Sequence, residues 1–268
     1  MVPRVALVAA FSLLVSCGSP QATPAAPVPE APSATPAQAV VVDSGAADAA
    51  ATTASAKPAP AEEPAGTPKE RLMRLHFKET AQIRAAVING ALGDTAAPAA
   101  ALSKMDGLGA IPAPWQPSLD AMQGAARRIS QSSDMPSVAA ALADVGAACG
   151  SCHKAHGGPK VKLDAAPTAE DTLQGRMKRH AWATERLWEA LYVPSDASWK
   201  AGVEALSADP FPKELLDKGG VHARSSAARF KSLVATAGAK QKVDDRTKLY
   251  AALLETCSAC HMTTRGTK

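Results

Sequence analysis

Two short stretches of the chain carry two cysteines and a histidine in the same order and at the same spacing. They are Cys149, Cys152 and His153 in the first stretch, and Cys257, Cys260 and His261 in the second. Thiol and imidazole groups at this spacing can bind zinc, exchange disulfides or hold a covalently attached haem. Each chemistry makes a different demand on the remaining sequence, so the surrounding pattern discriminates between them.

The spacing of these motifs favours covalent haem. Cysteines at i and i+3 of a helix lie on one side of it, so both sulfurs can reach one flat ligand. The adjacent histidine can turn its ring toward the centre of that ligand. This is the pattern of c-type haem attachment, in which two thioether bonds hold the porphyrin and the imidazole binds the iron. We therefore expect two haem c groups, one at each motif.

The other two chemistries fit the sequence less well. A zinc site needs four ligands, so the two motifs would have to combine into one site of four thiolates. The duplication described next indicates instead that each motif serves its own copy. A disulfide oxidoreductase carries Cys-x-x-Cys after a strand in a βαβ unit, whereas both motifs here fall at the far end of a helical unit.

An internal repeat of about 85 residues contains each motif. The segment RLMRLHFKETAQIRAAV corresponds to GRMKRHAWATERLWEAL, which begins 104 residues later, and the two motifs are 108 residues apart. The matching positions are Met73, His76, Thr80, Ile83 and Val87 in the first copy, and Met177, His180, Thr184, Leu187 and Leu191 in the second. The repeat predicts two related modules with one motif in each.

The spacing of apolar residues predicts helices throughout both copies. The matching positions advance by three and four residues, which gives one stripe facing a core. Similar stripes lead into the motifs: Val138, Leu142, Val145, Cys149 and Cys152, and then Leu249, Leu253, Cys257 and Cys260. Strand patterns are absent and alanine is abundant. We expect an all-α fold with two tandem four-helix bundles, at residues 69–156 and 169–268, joined by a linker at residues 157–168.

These features together resemble the cytochrome c-prime type of c-type cytochrome, a four-helix bundle with Cys-x-x-Cys-His in its last helix. The resemblance covers both copies of the repeat. It implies a haem along each bundle, His153 and His261 as proximal iron ligands, and a distal site faced by the first helix. It also implies export to the periplasm and haem attachment there. The chain departs from the family in its duplication and in lacking an arginine in the turn before the first cysteine of each motif.

The first helix of each copy offers two candidate distal ligands. Met73 and His76 lie one turn apart on the core-facing stripe, and Met177 and His180 repeat them. Both residue types bind haem iron, although a methionine on such a stripe also serves as core filler and a histidine as a structural residue. Because the histidines recur, we expect His76 and His180 to be the distal ligands. Met73 and Met177 are the alternative, and an open or water-bound iron is the third option.

The N-terminus is typical of an exported protein. Arg4 precedes an apolar run from Val5 to Val15 that is too short to span a bilayer, as in a secretory signal. The end of the run, Leu14-Val15-Ser16-Cys17, resembles the bacterial lipobox, whose cysteine is acylated and becomes the first mature residue. We expect a signal peptide at residues 1–16 and lipidation at Cys17, with cleavage at another small residue as the alternative. Since no later segment approaches about 20 apolar residues, the chain is predicted to be anchored and not spanning.

A proline-rich segment separates the expected lipid from the repeat. Residues 18–68 contain 10 of the 21 prolines and no aromatic residue. This composition cannot bury enough apolar surface to offset its ordering entropy, so we expect a disordered tether at residues 17–68 with a reach of roughly 40 Å. Of the five cysteines, one is assigned to the lipid and four to haem. None is left for a structural disulfide.

Charge and the absence of other motifs narrow the function. From residue 69 onward there are 27 lysines and arginines against 20 aspartates and glutamates, a formal excess of +7. Four haem propionates would offset about half of it, and nucleic acid is a poor partner for an exported chain. No hydrolytic or phosphate-binding constellation recurs between the copies. We expect a membrane-anchored electron carrier serving redox partner proteins, not an enzyme, with weak peroxidase-type activity left open. Binding or sensing of nitric oxide, carbon monoxide or peroxide is the alternative.

Overall fold

A computed structural model describes residues 66–104, 111–168, 170–208, 211–238 and 242–265. The expected signal peptide, Cys17 and the tether up to residue 65 lie outside the described residues. The helices are α1 (Pro68–Ile88), α2 (Ala96–Leu102), α3 (Gln116–Gln131), α4 (Met135–His156), α5 (Leu173–Tyr192), α6 (Asp196–Ser207), α7 (Lys213–Lys218), α8 (Gly220–Ala237) and α9 (Val243–Arg265), with short 3-10 helices at Leu92–Thr95 and Ala113–Trp115. The described residues contain no strand, so the predicted all-α class is confirmed.

Side-chain caps begin three of the helices that carry predicted site residues. The Thr67 hydroxyl accepts a hydrogen bond from the Glu70 backbone N–H, and the Glu70 carboxylate accepts one from the Thr67 N–H. This capping box, followed by proline at the first helical position, starts α1. Asp134 caps α4 and Thr172 caps α5 through backbone N–H groups three residues later. Local sequence therefore defines where these helices start.

The predicted stripes on the first helix of each copy face the interior of the fold. In α1 the residues His76, Thr80, Ile83 and Val87 are buried and Met73 is half-buried. In α5 the residues Thr184, Leu187 and Leu191 are buried, whereas Met177 and His180 are half-buried. The C-terminal parts of both stripes thus belong to the core, and the N-terminal parts carry the candidate ligands.

One hydrophobic core serves both copies of the repeat. Helix α4 packs against α9 and α5, and α1 packs against α9. The cluster of buried side chains joins Ile83 and Leu142 of the first copy to Leu187 and Leu254 of the second. The described residues of both copies belong to one compact unit. The division into separate bundles at residues 69–156 and 169–268 stays a prediction.

Helix α4 is long and apolar enough, by length and composition alone, to cross a membrane. By this criterion α4 does approach the length and composition of a membrane span, and that the chain is anchored and not spanning stays a prediction. Half of the apolar window is buried inside the protein, where Val138 and Leu142 belong to the core. The core helix of a water-soluble protein meets the same criterion, so the finding does not place α4 in a membrane.

Candidate haem sites

The first candidate site lies between α1 and the C-terminal half of α4. A cavity of about 820 Å³ is lined by both motif cysteines, the motif histidine and both candidate ligands of α1. These residues are Met73, His76, Cys149, Cys152 and His153. The fold therefore brings together every site residue that the sequence assigned to the first copy. Trp115, which precedes α3, also lines this cavity.

The second candidate site repeats this arrangement with α5 and α9. A cavity of about 450 Å³ is lined by Met177, His180, Cys257, Cys260 and His261. Two phenylalanines, Phe211 and Phe230, also line this site. The ring of His180 stacks on Phe230 with a centroid distance of 5.4 Å and meets Phe211 edge-on at 5.2 Å.

His76 is a buried imidazole facing the first cavity. Its Nε2 atom makes no hydrogen bond with any residue in the described part of the chain. Burial, followed by the proximity of His153, lowers the pKa of His76 to about 4. The ring is therefore neutral at physiological pH, and a buried polar nitrogen without a partner is costly unless a ligand occupies it. A metal ion bound in the cavity, with Nε2 of His76 as a ligand, would remove that cost.

The geometry of His153 fixes which ring nitrogen carries the proton. Its Nδ1 atom lies 2.6 Å from the main-chain oxygen of Tyr192. Because a carbonyl oxygen can only accept, Nδ1 carries the proton and donates the hydrogen bond. The Nε2 lone pair is then available to a metal, which is the tautomer that an iron-binding imidazole needs.

The motif cysteines are half-buried, neutral thiols. Burial, with a smaller contribution from the second cysteine of each motif, raises the pKa of Cys149 and of Cys257 to about 12. Burial also raises the pKa of Cys152 and of Cys260. Disulfide exchange needs a thiolate, so these thiols are poorly suited to it. The four are not joined by disulfides.

Metal binding by protein side chains alone has no support in the described residues. Within these ranges no three or more His, Cys, Asp or Glu side chains cluster in a way that could hold a metal ion. The two motifs therefore do not combine into the four-thiolate zinc site considered above. In contrast, the residues fit a covalent haem: two thiols and a correctly protonated imidazole face one largely apolar cavity, opposite a buried and unpartnered imidazole nitrogen.

Sequence reasoning missed the residues that the other copy contributes to each site. Trp188 and Tyr192 of α5 line the first cavity, and Ile88 of α1 lines the second. Ile88 and Tyr192 occupy equivalent positions in the repeat, 104 residues apart. That equivalence was visible in the sequence, but contact between the copies depends on tertiary packing that the sequence pattern does not encode.

No protein-family model, curated protein or solved structure matches the chain. The interpretation of both sites therefore depends on their residues and geometry. The resemblance to the cytochrome c-prime type rests on the motif, the repeat and the helical pattern, and it stays a prediction.

Proposed function

We propose that the chain is a dihaem c-type cytochrome that carries electrons on the periplasmic side of a bacterial membrane. One observation carries the proposal: in both copies the Cys-x-x-Cys-His motif and the Met and His of the first helix line the same cavity. The motif and the first helix lie far apart in sequence, and nothing in the spacing of the motif alone requires them to meet. Neither zinc binding nor disulfide exchange requires the motif and the first helix to line one cavity in both copies.

In this proposal each residue type has one role. The thiols of Cys149, Cys152, Cys257 and Cys260 form the thioether links, and His153 and His261 bind the iron through Nε2. Bound haem supplies a one-electron redox centre. The lining of each cavity is largely apolar, and axial ligation and exclusion of solvent are levers that set a reduction potential.

The wider architecture in the proposal follows the repeat. Residues 69–156 and 169–268 are two haem domains of four-helix type in tandem, and Cys17 carries a lipid that holds them at a membrane. Residues 17–68 form the tether. The partners are redox proteins that reach the haem edges.

The distal ligand of the first haem is His76 in this proposal. Its burial and its unpartnered Nε2 support that role, and the corresponding His180 lines the second cavity. Met73 and Met177 line the same cavities one turn earlier, so they remain the alternative pair. Methionine ligation would raise the reduction potential relative to two histidines.

A second function, binding of nitric oxide, carbon monoxide or peroxide, is favoured at one site by one observation. The ring of His180 is held between Phe211 and Phe230, and aromatic pairs of this kind are worth about 0.5–1.5 kcal/mol. If His180 keeps that packing and Met177 does not replace it, the second iron has an open position. The second haem would then bind diatomic ligands while the first carries electrons.

Optical spectra of the reduced protein, with and without carbon monoxide, test this proposal. An electron carrier closed at both irons keeps its spectrum when carbon monoxide is added. Rapid binding at both haems would reject the carrier function and support the alternative. Binding at one haem only, with binding at the other haem added by His76→Ala, would assign the open position to the second copy.

A further inference from the structure

The first candidate site is completed by the second copy of the repeat. The Nδ1–H of His153 donates to the main-chain oxygen of Tyr192 at 2.6 Å, and Tyr192 is the last residue of α5. The ring of Tyr192 also meets the ring of His153 edge-on, with centroids 6.2 Å apart. The expected iron ligand of one copy is thus held by the backbone of the other.

The sequence after α5 makes the Tyr192 carbonyl available. The last four carbonyls of a helix have no intrahelical N–H partner. Val193 adopts an extended conformation, with φ −125° and ψ 92°, as expected for a residue that precedes a proline. Pro194 therefore ends the helix directly after Tyr192 and leaves its carbonyl free to accept from the imidazole.

A glycine in α4 lets the end of α5 come this close. A Cβ atom on Gly150 would lie 2.0 Å from the Leu191 carbonyl oxygen and 3.3 Å from Cγ of Pro194. The Leu191 carbonyl belongs to the backbone and cannot move away as the end of a flexible side chain can. Any larger residue at position 150 therefore pushes α4 and α5 apart. Gly150 lies one turn before His153 and therefore on the same side of α4.

The contact is reciprocal between the copies. Ile88, the equivalent of Tyr192, lines the second cavity. The chain leaves α1 through Gly90, whose φ of 71° suits glycine, and a Cβ atom there would lie 2.4 Å from Cγ of Met262, next to His261. The first helix of each copy therefore ends against the motif helix of the other.

We propose that the second copy tunes the haem of the first through this hydrogen bond, with the Tyr192 carbonyl as a positioning group for His153. A carbonyl acceptor on Nδ1 fixes the ring orientation and strengthens the donation from Nε2 to a metal. Stronger donation stabilises the oxidised iron, so the bond lowers the reduction potential of the first haem. This inference rests on the proposed haem function and adds that the site is incomplete without the second copy.

The test compares Gly150→Ala with Gly124→Ala in the full-length haem protein. A Cβ atom on Gly124, in α3, meets nothing closer than 3.9 Å, so this control adds a methyl group to a helix without a clash. We expect Gly150→Ala to raise the potential of one haem by about 59 mV, a tenfold change for a one-electron couple. In the His76→Ala background, where the first iron is five-coordinate, the iron–imidazole stretching frequency of that haem should also fall. Gly124→Ala should change neither quantity.

A second variant keeps the test valid if Gly150→Ala does not fold. Pro194→Ala leaves Gly150 against the Leu191 carbonyl and removes the restraint on Val193, at a position exposed to solvent. It should raise the same potential by a smaller amount. Potentials unchanged in every folded variant, with both haems attached, would overturn the inference and leave the haem function standing. A chain without attached haem would overturn both.

Discussion

Arg84 of α1 forms an ion pair with Glu185 of α5, so a charged contact joins the first helices of the two copies. The Arg84 guanidinium also lies over the ring of Trp188, 5.7 Å from its centroid. Trp188 in turn contacts Tyr192, the residue that accepts from His153. The ion pair is therefore connected to the expected iron ligand His153 through contacts of Trp188 and Tyr192.

Removing one partner of this pair should destabilise the protein. Glu185→Ala leaves the Arg84 side chain, which is 14% exposed, without its carboxylate. We expect a loss of about 2 kcal/mol, between the values typical of exposed and of buried pairs. Chemical denaturation of the haem-loaded protein measures it. The matched control is Glu204→Ala, which breaks the exposed Lys200–Glu204 pair and should change stability little. Equal losses in the two variants would contradict the structural role given to Arg84 and Glu185.

Replacing His76 should open the sixth position of the proposed first haem iron. His76→Ala removes the buried imidazole that lines the first cavity, so the expected result is a change to a high-spin spectrum for half of the haem and new binding of carbon monoxide. His222→Ala is the control, since His222 is exposed on α8 and lines neither of the two candidate cavities. If His76→Ala leaves the spectrum unchanged, the distal ligand is Met73 or the position is open in the unaltered protein.

Loss of one haem should unfold part of the helical structure. The double substitution Cys149→Ala and Cys152→Ala removes both proposed covalent links at a cavity of about 820 Å³, in a chain with many alanines and few large apolar side chains. Circular dichroism should show reduced helix content and a lower, broader melting transition. The equivalent Cys257→Ala and Cys260→Ala variant should show the same loss of helix content and the same change in melting. Native-like helix content and melting in either variant would show that the helices do not depend on haem.

The cap of α4 predicts a specific pH dependence. Hydrogen bonds from Ser137, first from its backbone N–H and then from its hydroxyl, hold the pKa of Asp134 below its ordinary value of 3.8. The cap therefore contributes stability above the unfolded pKa and loses it as pH falls through the folded pKa. Near neutral pH, Asp134→Ala should be less stable than the unaltered protein. Asp134→Asn should be as stable as the unaltered protein, because asparagine also caps a helix well.

Thermal melts from pH 7 to pH 2 measure this effect. As the pH falls, the unaltered protein should approach Asp134→Ala, while the gap between Asp134→Asn and Asp134→Ala should persist. A constant gap between the unaltered protein and Asp134→Ala would show that the carboxylate does not cap the helix.

Much of each candidate site could be predicted because the relevant patterns are local. Steps of three and four residues place Met73 and His76 on one face of a helix, and Cys149 and Cys152 on one side of another. The repeat adds that the same two faces must meet in both copies. No family relationship was needed for these expectations.

The contacts between the copies could not be predicted in this way. The hydrogen bond from His153 to Tyr192 uses a backbone carbonyl, which every residue has, so no residue type marks it. The close approach at Gly150 depends on where α5 packs against α4. Likewise, the repeat indicates two modules of similar structure, but it does not indicate that Leu142 and Leu254 belong to one core.

The most direct test of the central claim is the intact mass and absorption spectrum of the exported protein, purified from a host that attaches c-type haem. The account predicts a mass increased by two haem groups, a Soret band, and the loss of one haem in each motif variant. A protein with the mass of its amino acids and lipid alone, and without Soret absorption, would contradict it.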